Sequence, residues 1–392
     1  MAMGEQWAET TLGNVADFVN GYPFKPADLA GLTYPVIRIK QLLDASAEID
    51  YTDLNTPERN HIKNGDLIFS WSGTLASRIW SRGPAALNQH LFKVNERPGI
   101  DRGWLHLALD HAVEELSEKT HGTTMKHITK GVLETHSIRL PPLPVQRRIA
   151  DLVAHLDNHI ADLQSERDAA SRVLVRMRAT QMEPNGDWKA GRLDQVAEVR
   201  LGRMLSKERS SGDDLAPYIR NANVQWNALN LADLKQMSFP TKEREIYALR
   251  AGDILVCEGG DPGRAVLLEK DLPGIYYQKA IHRVRCSEFV DPGFLYQWLA
   301  CCYQDQRIED LCTNTTIKHL TAEKFRTLGV RYPPIDDQIA IARTLEAASH
   351  VNASLNAELA ALLNLRGSLL QGLLSGELVV PSDYDALIRQ VA

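Results

Sequence analysis

The chain states one segment twice. Residues 123–150 read TTMKHITKGVLETHSIRLPPLPVQRRIA, and residues 315–342 read TTIKHLTAEKFRTLGVRYPPIDDQIAIA. His127 and His319, Pro141 and Pro333, and Gln146 and Gln338 are each 192 residues apart. A solenoid repeats every ~20–50 residues, so this spacing is not a solenoid period. In a chain of 392 residues it requires two copies of a whole domain with its connector. A molecule built that way engages its target, or its partners, twice.

Upstream, the copies match with a drifting offset. Trp7, Leu12, Val15-Ala16 and Gly21 correspond to Trp188, Leu193, Val196-Ala197 and Gly202 at 181 residues. Arg38 in YPVIR aligns with Arg220 in APYIRNANV. GDLIFSWSG at 65–73 aligns with GDILVCEGG at 252–260, and Asn88-Gln89 with Tyr277-Gln278 at 189. Loop insertions in a diverged duplication produce this drift. GDLIF and GDILV read as a turn followed by a buried strand. Helical patterns follow at 103–119 and 292–311. Each copy is thus a mixed α/β domain within an α+β protein.

After Pro141-Pro142 the pattern changes. Ile149, Val153, Leu156, Ile160, Leu163, Arg167, Ala170, Leu174 and Met177 recur at steps of four and three. That is the heptad seam of a long helix, with Arg167 as its charged intruder. The second copy gives Ile341, Leu345, Ala348, Asn352, Leu355, Leu359, Leu362, Arg366 and Leu369. Each helix needs a partner for one face, and pairing as an antiparallel coiled coil satisfies both. Pro144 suits a first turn, Asp336 and Asp337 suit a positive helix start, and Gly372 or Gly376 marks the second stop. The division is therefore 1–142 and 182–334 as domains, 143–181 and 335–376 as spacer helices, and 377–392 as a tail that packs or frays.

Composition excludes several classes. With 44% hydrophobic and 24% charged residues the chain has material for real cores. No apolar run nears the ~20 residues that span a bilayer, and MAMGEQWAETTLG lacks the pattern of a secretory signal. A cytoplasmic location is expected. Cys257, Cys286, Cys301, Cys302 and Cys312 all lie in the second half, so they are no shared disulfide or metal framework. Neither GxxxxGK[ST], HExxH nor GxSxG occurs, which argues against an enzyme in its own right. LPPL and YPPI lack the flanking residues of an amino-methyltransferase motif and read as joints between domain and helix. The formal charge of −6 argues mildly against non-specific nucleic-acid binding, although the field that matters is local.

Several constellations suit DNA. In the repeated TT[MI]KH[IL]T, Lys126 and Lys318 suit phosphate neutralisation. Thr124 and Thr316 suit donation to phosphate, and His127 and His319 add a base or phosphate contact. The same segment reads equally well as a helix start. Residues 69–80 set out Trp71, Ser72, Thr74 and Arg78, while CEGGDPGRAVLL offers Glu258, two glycines and Arg264. Glycines admit close backbone approach, the polar tips suit groove contacts, and Glu258 suits a cytosine amine. An ordinary loop between strands is the other reading. Arg220, Asn221, Asn223 and Gln225, beside Trp226, form a dense set of base-edge readers, with Arg38, Lys40 and Gln41 as counterparts; the other reading is a solvated strand edge. Lys25, Arg203 and Lys207 lie in the divergent segments 22–34 and 203–217. Gln89, His90, Gln278 and Lys279 complete the candidate DNA-binding set, which has no catalytic or metal member.

The duplicated order of these motifs, over residues 7–376, resembles the DNA-specificity subunit of type I restriction–modification systems. The resemblance implies two target-recognition domains, each reading half of a split, non-palindromic DNA site, related by an internal pseudo-twofold. It also implies paired helices that separate the domains and dock two adenine methyltransferase subunits, with restriction–translocation subunits able to join. S-adenosylmethionine, ATP and Mg would belong to those partners, with no cofactor bound by this chain. Recognition domains vary, so the resemblance does not say which residues touch bases. An autonomous DNA-binding regulator and a two-domain protein scaffold remain alternatives.

Overall fold

The computed structural model describes residues 7–119, 128–205, 214–313 and 318–386. It divides into two compact units, Met1–Ala161 with Ala360–Ala392, and Asp162–Leu359. The division cuts through both long helices, so each unit contains part of each rather than leaving the helices as separate segments.

In the first unit, β1 (Ala8–Thr11) leads through the short α1 (Leu12–Val15) into β2 (Ala16–Asn20). There follow β3 (Tyr34–Ile37), α2 (Ile39–Leu43), β4 (Asp50–Thr52), β5 (His61–Ile62), β6 (Leu67–Ser70), β7 (Ala76–Ile79), β8 (Ala85–Leu87) and β9 (Leu91–Glu96). One sheet is antiparallel, ordered β2-β9-β6-β7. The other is ordered β4-β3-β8-β5, with β3 and β8 parallel. Then come α3 (Arg102–Lys119), α4 (Lys130–Thr135), β10 (Ser137–Leu140), which pairs with β1, and α5 (Leu143–Gln181).

The second unit repeats this frame. Its elements are β11 (Lys189–Arg192), α6 (Leu193–Val196), β12 (Ala197–Leu201), β13 (Leu215–Ile219), β14 (Val224–Gln225), β15 (Ala228–Leu229), β16 (Lys235–Ser238) and α7 (Thr241–Arg244). They continue through β17 (Ile254–Cys257), β18 (Ala265–Leu267), β19 (Tyr276–Tyr277), β20 (Ile281–Cys286), α8 (Pro292–Gln304), α9 (Ala322–Arg326), β21 (Gly329–Tyr332) and α10 (Ile335–Ser375). The antiparallel sheet is β12-β20-β17-β18, the mixed one is β16-β13-β19, and β11 pairs with β21.

The repeated motifs build this frame. Gly65 and Gly252 turn the chain at φ of 89° and 84° into β6 and β17, conformations that favour glycine. Both strands are buried along their whole length, as unbroken apolar runs require. A side chain on Gly21 would meet the Asn88 carbonyl at 2.2 Å, and one on Gly202 the Gln278 carbonyl at 2.2 Å. These approaches carry the parallel bridges Tyr22–Asn88 and Arg203–Gln278. They shift the pairing read from sequence by one residue: Gln278 corresponds to Asn88, and Lys279 to Gln89. The helix expected over 292–311 stops at Gln304. Gln306 adopts φ 68°, and only a short 3-10 turn, Glu309–Leu311, follows.

The cores are aromatic and aliphatic. In the first unit Phe18, Phe69, Phe92 and Trp104 pack with Ile149 and Val153 of α5 and Leu370 and Leu373 of α10. In the second, Phe294, Trp298 and Phe325 pack with Leu345 of α10. Every seam residue is buried or half-buried, including Arg167, Asn352 and Arg366. Asp157 of α5 pairs with Arg366 of α10 in the first unit, and Arg178 of α5 bonds Ser349 of α10 in the second. Partner numbers on α10 fall as those on α5 rise, so the helices pair antiparallel. Gly376, at φ 75°, ends α10. The tail packs on the first unit through buried Val380 and an Arg148–Asp385 ion pair at 3.7 Å.

Candidate nucleic-acid interface

In the second unit the stretches around Asn221, Ala280 and His319 converge on the loop after β17. The Asn221 amide donates to the Gly259 carbonyl at 2.7 Å, and Arg264 donates to the Asn221 carbonyl at 3.1 Å. The Gln278 N–H donates to the Ile219 carbonyl at 3.1 Å, and the Lys279 N–H to that of Arg203 at 2.8 Å. Gly259 bridges to His319. Asn221, Glu258, Arg264, Gln278, Lys279 and His319 are therefore gathered on one framework. Glu258 is half-buried, and Lys279, Lys318, His319 and Gln225 are exposed. Burial raises the Glu258 pKa above the usual carboxylate value, while Lys279 and His319 pull it down. Lys318 is held protonated by its ion pair with Glu309.

Other candidates are committed to the fold. Asn223 is buried; its Oδ1 accepts from the Arg220 N–H at 3.0 Å, and its amide donates to the Asn230 and Asp233 carbonyls. Arg220 is paired with Asp233. Arg203 is buried, paired with Glu243 and placed over the Phe239 ring at 5.6 Å.

The first unit uses the same places differently. The Trp71 indole lies 5.5 Å from the His90 ring and donates to the Gln89 carbonyl at 3.1 Å. Ser72 is buried; Thr74, Arg78, Gln89, Lys25 and Lys40 are exposed. Arg38 is half-buried and pairs with Asp50 at 3.4 Å. Gln41 caps the turn after Arg38, as Asn223 does after Arg220. Lys126, His127 and Lys207 lie outside the described residues, as do Thr124 and Thr316.

Sequence reading missed the brace of the second loop. Tyr303 donates to the Asp261 carboxylate at 2.7 Å, and Arg264 pairs with the same carboxylate at 3.4 Å. Burial and Asp261 push the Tyr303 hydroxyl up to about 12. The glycines before Asp261 signal the turn, but nothing in the sequence marks Tyr303 as its partner. Among the described residues no group of three or more His, Cys, Asp or Glu is placed to hold a metal ion. No helix among them is long and apolar enough to cross a membrane.

The geometry agrees with comparison to known proteins. A family model described as the type I restriction modification DNA specificity domain matches residues 4–170 and again 185–364. The chain is 25% identical to the type I restriction enzyme EcoBI specificity subunit of Escherichia coli, over 96% of this chain and 87% of that one. It is 22% identical to the MjaVIII specificity subunit of Methanocaldococcus jannaschii, over 88% and 87%. The fold matches the S subunit from M. genitalium with a TM-score of 0.62 at 14% identity, covering 95% and 97% of the two chains. A second match, from a structure of type I R-M complex assembly, has a TM-score of 0.57 at 17% identity and covers 95% and 98%. Matched twice along its length by one model, the chain belongs to the type I restriction–modification DNA specificity family, whose task is recognition of the DNA target.

Proposed function

We propose that this chain reads a bipartite, non-palindromic DNA sequence with a fixed, unread spacer, as the non-catalytic specificity subunit of a cytoplasmic complex. Two adenine methyltransferase subunits dock on it, and restriction–translocation subunits join them, for host DNA methylation and restriction of foreign DNA. S-adenosylmethionine, ATP and Mg serve on those partners. One observation carries this reading: a single frame presented twice, with different side chains at matching places. Glu258 stands where the first unit has Trp71, and Asn221 opens a short 3-10 turn whose counterpart, α2, opens with Ile39.

Two further features support it. Val173 and Val175 on α5, and Val351, Leu363 and Leu365 on α10, are exposed apolar side chains that suit helix-borne partner docking. The net charge of −6 suits a subunit that leaves much of the phosphate neutralisation to its partners.

Helix length is the proposed ruler. The 39 residues of α5 extend about 58 Å at 1.5 Å per residue, longer than a DNA turn of about 34–36 Å. Matched heptad insertions in α5 and α10 should lengthen the spacer and leave both half-sites unchanged, as read by methylation-sensitive sequencing of host DNA. An unchanged spacer in a methylating insertion mutant would sink the ruler.

A further inference from the structure

Trp71 and Glu258 occupy one position in two copies of a frame. Each directly follows the buried strand that starts from the glycine turn, β6 or β17. The Trp71 N–H donates to the His90 carbonyl at 3.4 Å, and its carbonyl accepts from the Ile128 N–H at 3.1 Å. The Glu258 N–H donates to the Ala280 carbonyl at 2.8 Å, and its carbonyl accepts from the Leu320 N–H at 2.7 Å. His90 matches Ala280 and Ile128 matches Leu320 in the duplicated frame. The main chain is pinned on both sides in the same way, and the side chain is what differs.

The two side chains bring contrary chemistry. The Trp71 indole lies against His90 and Phe92, with its N–H on the Gln89 carbonyl. The Glu258 carboxylate takes no hydrogen bond or ion pair from the described residues. Lys279 and His319 attract it without closing on it. Burial has already removed part of its water, so less desolvation remains for a ligand to cause. A carboxylate brought to DNA is repelled by the phosphates and gains only where a base edge offers an amine. The exposed Lys279 and His319 beside it offset that repulsion.

We infer that Glu258 is a specificity-determining residue of the second domain, accepting a hydrogen bond from the N4 amine of a cytosine in its half-site. Trp71, at the same place in the first domain, makes no such demand. The inference rests on the two-part reading proposed above. Cytosine fits better than adenine. Adenine sets the N7 acceptor beside its amine, which suits the carboxamide of Asn or Gln and repels the second carboxylate oxygen. Cytosine offers its amine without an adjacent acceptor on the same base.

The test uses the complex of the full chain with its modification subunits, alongside E258A and E258Q complexes checked for assembly and melting. Competing duplex oligonucleotides carry each of the four bases at every position of the methylated site. The wild type should prefer cytosine about ten- to a hundredfold at one position of one half-site. E258A should erase that preference alone, and E258Q should move it to adenine. If E258A keeps every base preference, or loses all of them alike, or relaxes a position that is not cytosine, the inference fails. If E258A does not assemble, the isosteric E258Q decides, and an unchanged cytosine preference overturns the inference. A wild-type complex that methylates no two-part site would instead sink the bipartite reading itself.

Discussion

His282 shows how one residue departs from its duplicate. It lies in β20, fully buried, where the first unit carries Phe92 in β9. Its Nε2 donates to the Leu320 carbonyl at 2.8 Å, a bond that favours the charged ring, but burial outweighs it and pushes the pKa down to about 4, so the ring is neutral at neutral pH. The unfolded chain takes up a proton near pH 6.5 that the folded ring refuses. The contribution of the neutral ring is therefore complete above about 6.5 and is lost as pH falls towards 4. At about 1.36 kcal/mol per pH unit this amounts to about 3 kcal/mol. H282F should flatten that part of the stability–pH curve in urea titrations, while costing about 1 kcal/mol at neutral pH for the lost bond. A curve as steep as the wild type's would refute this account. Arg178 poses a different problem. Its buried guanidinium is bonded by neutral partners, Gln297 at 2.9 Å and Ser349 at 3.3 Å, and no described carboxylate pairs with it. Desolvation lowers its pKa. Replacing both partners, in R178M/Q297L, should leave the urea midpoint unchanged or higher. Q297L, which strands the charge, should cost about 1–3 kcal/mol. The reverse order would show that the charge itself stabilises the site.

At the scale of elements, the joint between domain and helix is built identically twice. Gln146 donates to the Pro141 carbonyl at 2.8 Å and the Gly99 carbonyl at 3.3 Å, and accepts from the Asp101 N–H at 2.8 Å. Gln338 does the same with Pro333, Phe289 and Asp291, at 2.9, 3.0 and 2.9 Å. Asp101 and Asp291 in turn accept from the Trp104 and Phe294 N–H groups at the starts of α3 and α8. One buried amide thus ties the Pro-Pro joint, the long helix and the preceding domain helix together. Q146L and Q338L should each destabilise the protein by about 2–4 kcal/mol, because each leaves several buried backbone groups unpaired. Glutamate should not rescue either position, since it accepts but does not donate. Melting indistinguishable from wild type would mean that the joint is held by packing alone.

At the scale of the whole molecule, the heptad seam is what makes a ruler testable. A matched insertion of seven residues in both helices preserves the seam and adds about 10 Å to each. At about 3.4 Å per base pair that is about three base pairs of spacer. An insertion in one helix alone would set seam residues against solvent, so it is expected to destabilise the pair rather than lengthen it. The Asp157–Arg366 ion pair, with a 3.0 Å bond in the first unit, gives one of the charged seam residues a partner. Loss of that pairing after a single insertion is a further reason to make the insertions together.

The sequence by itself determined the duplication, the Pro-Pro joints, the two long helices, the glycine turns and the family. All of these are carried by local spacing, which depends on chain geometry and survives divergence. It also brought Glu258 and Trp71 into the same column. Tertiary structure alone decided which polar residues face inward. Asn223 and Arg220 look like base readers in sequence, yet partners 7 to 13 residues away, Asn230 and Asp233, hold both. Tertiary structure also moved the Asn88 match from Tyr277 to Gln278, because the bridges that define it join strands far apart in the chain. A polar side chain's role follows from the donors and acceptors around it. Those neighbours are brought in by turns and strand pairings beyond the motif itself, so residue type and spacing could name the candidate interface but not say which of its members are free to read DNA.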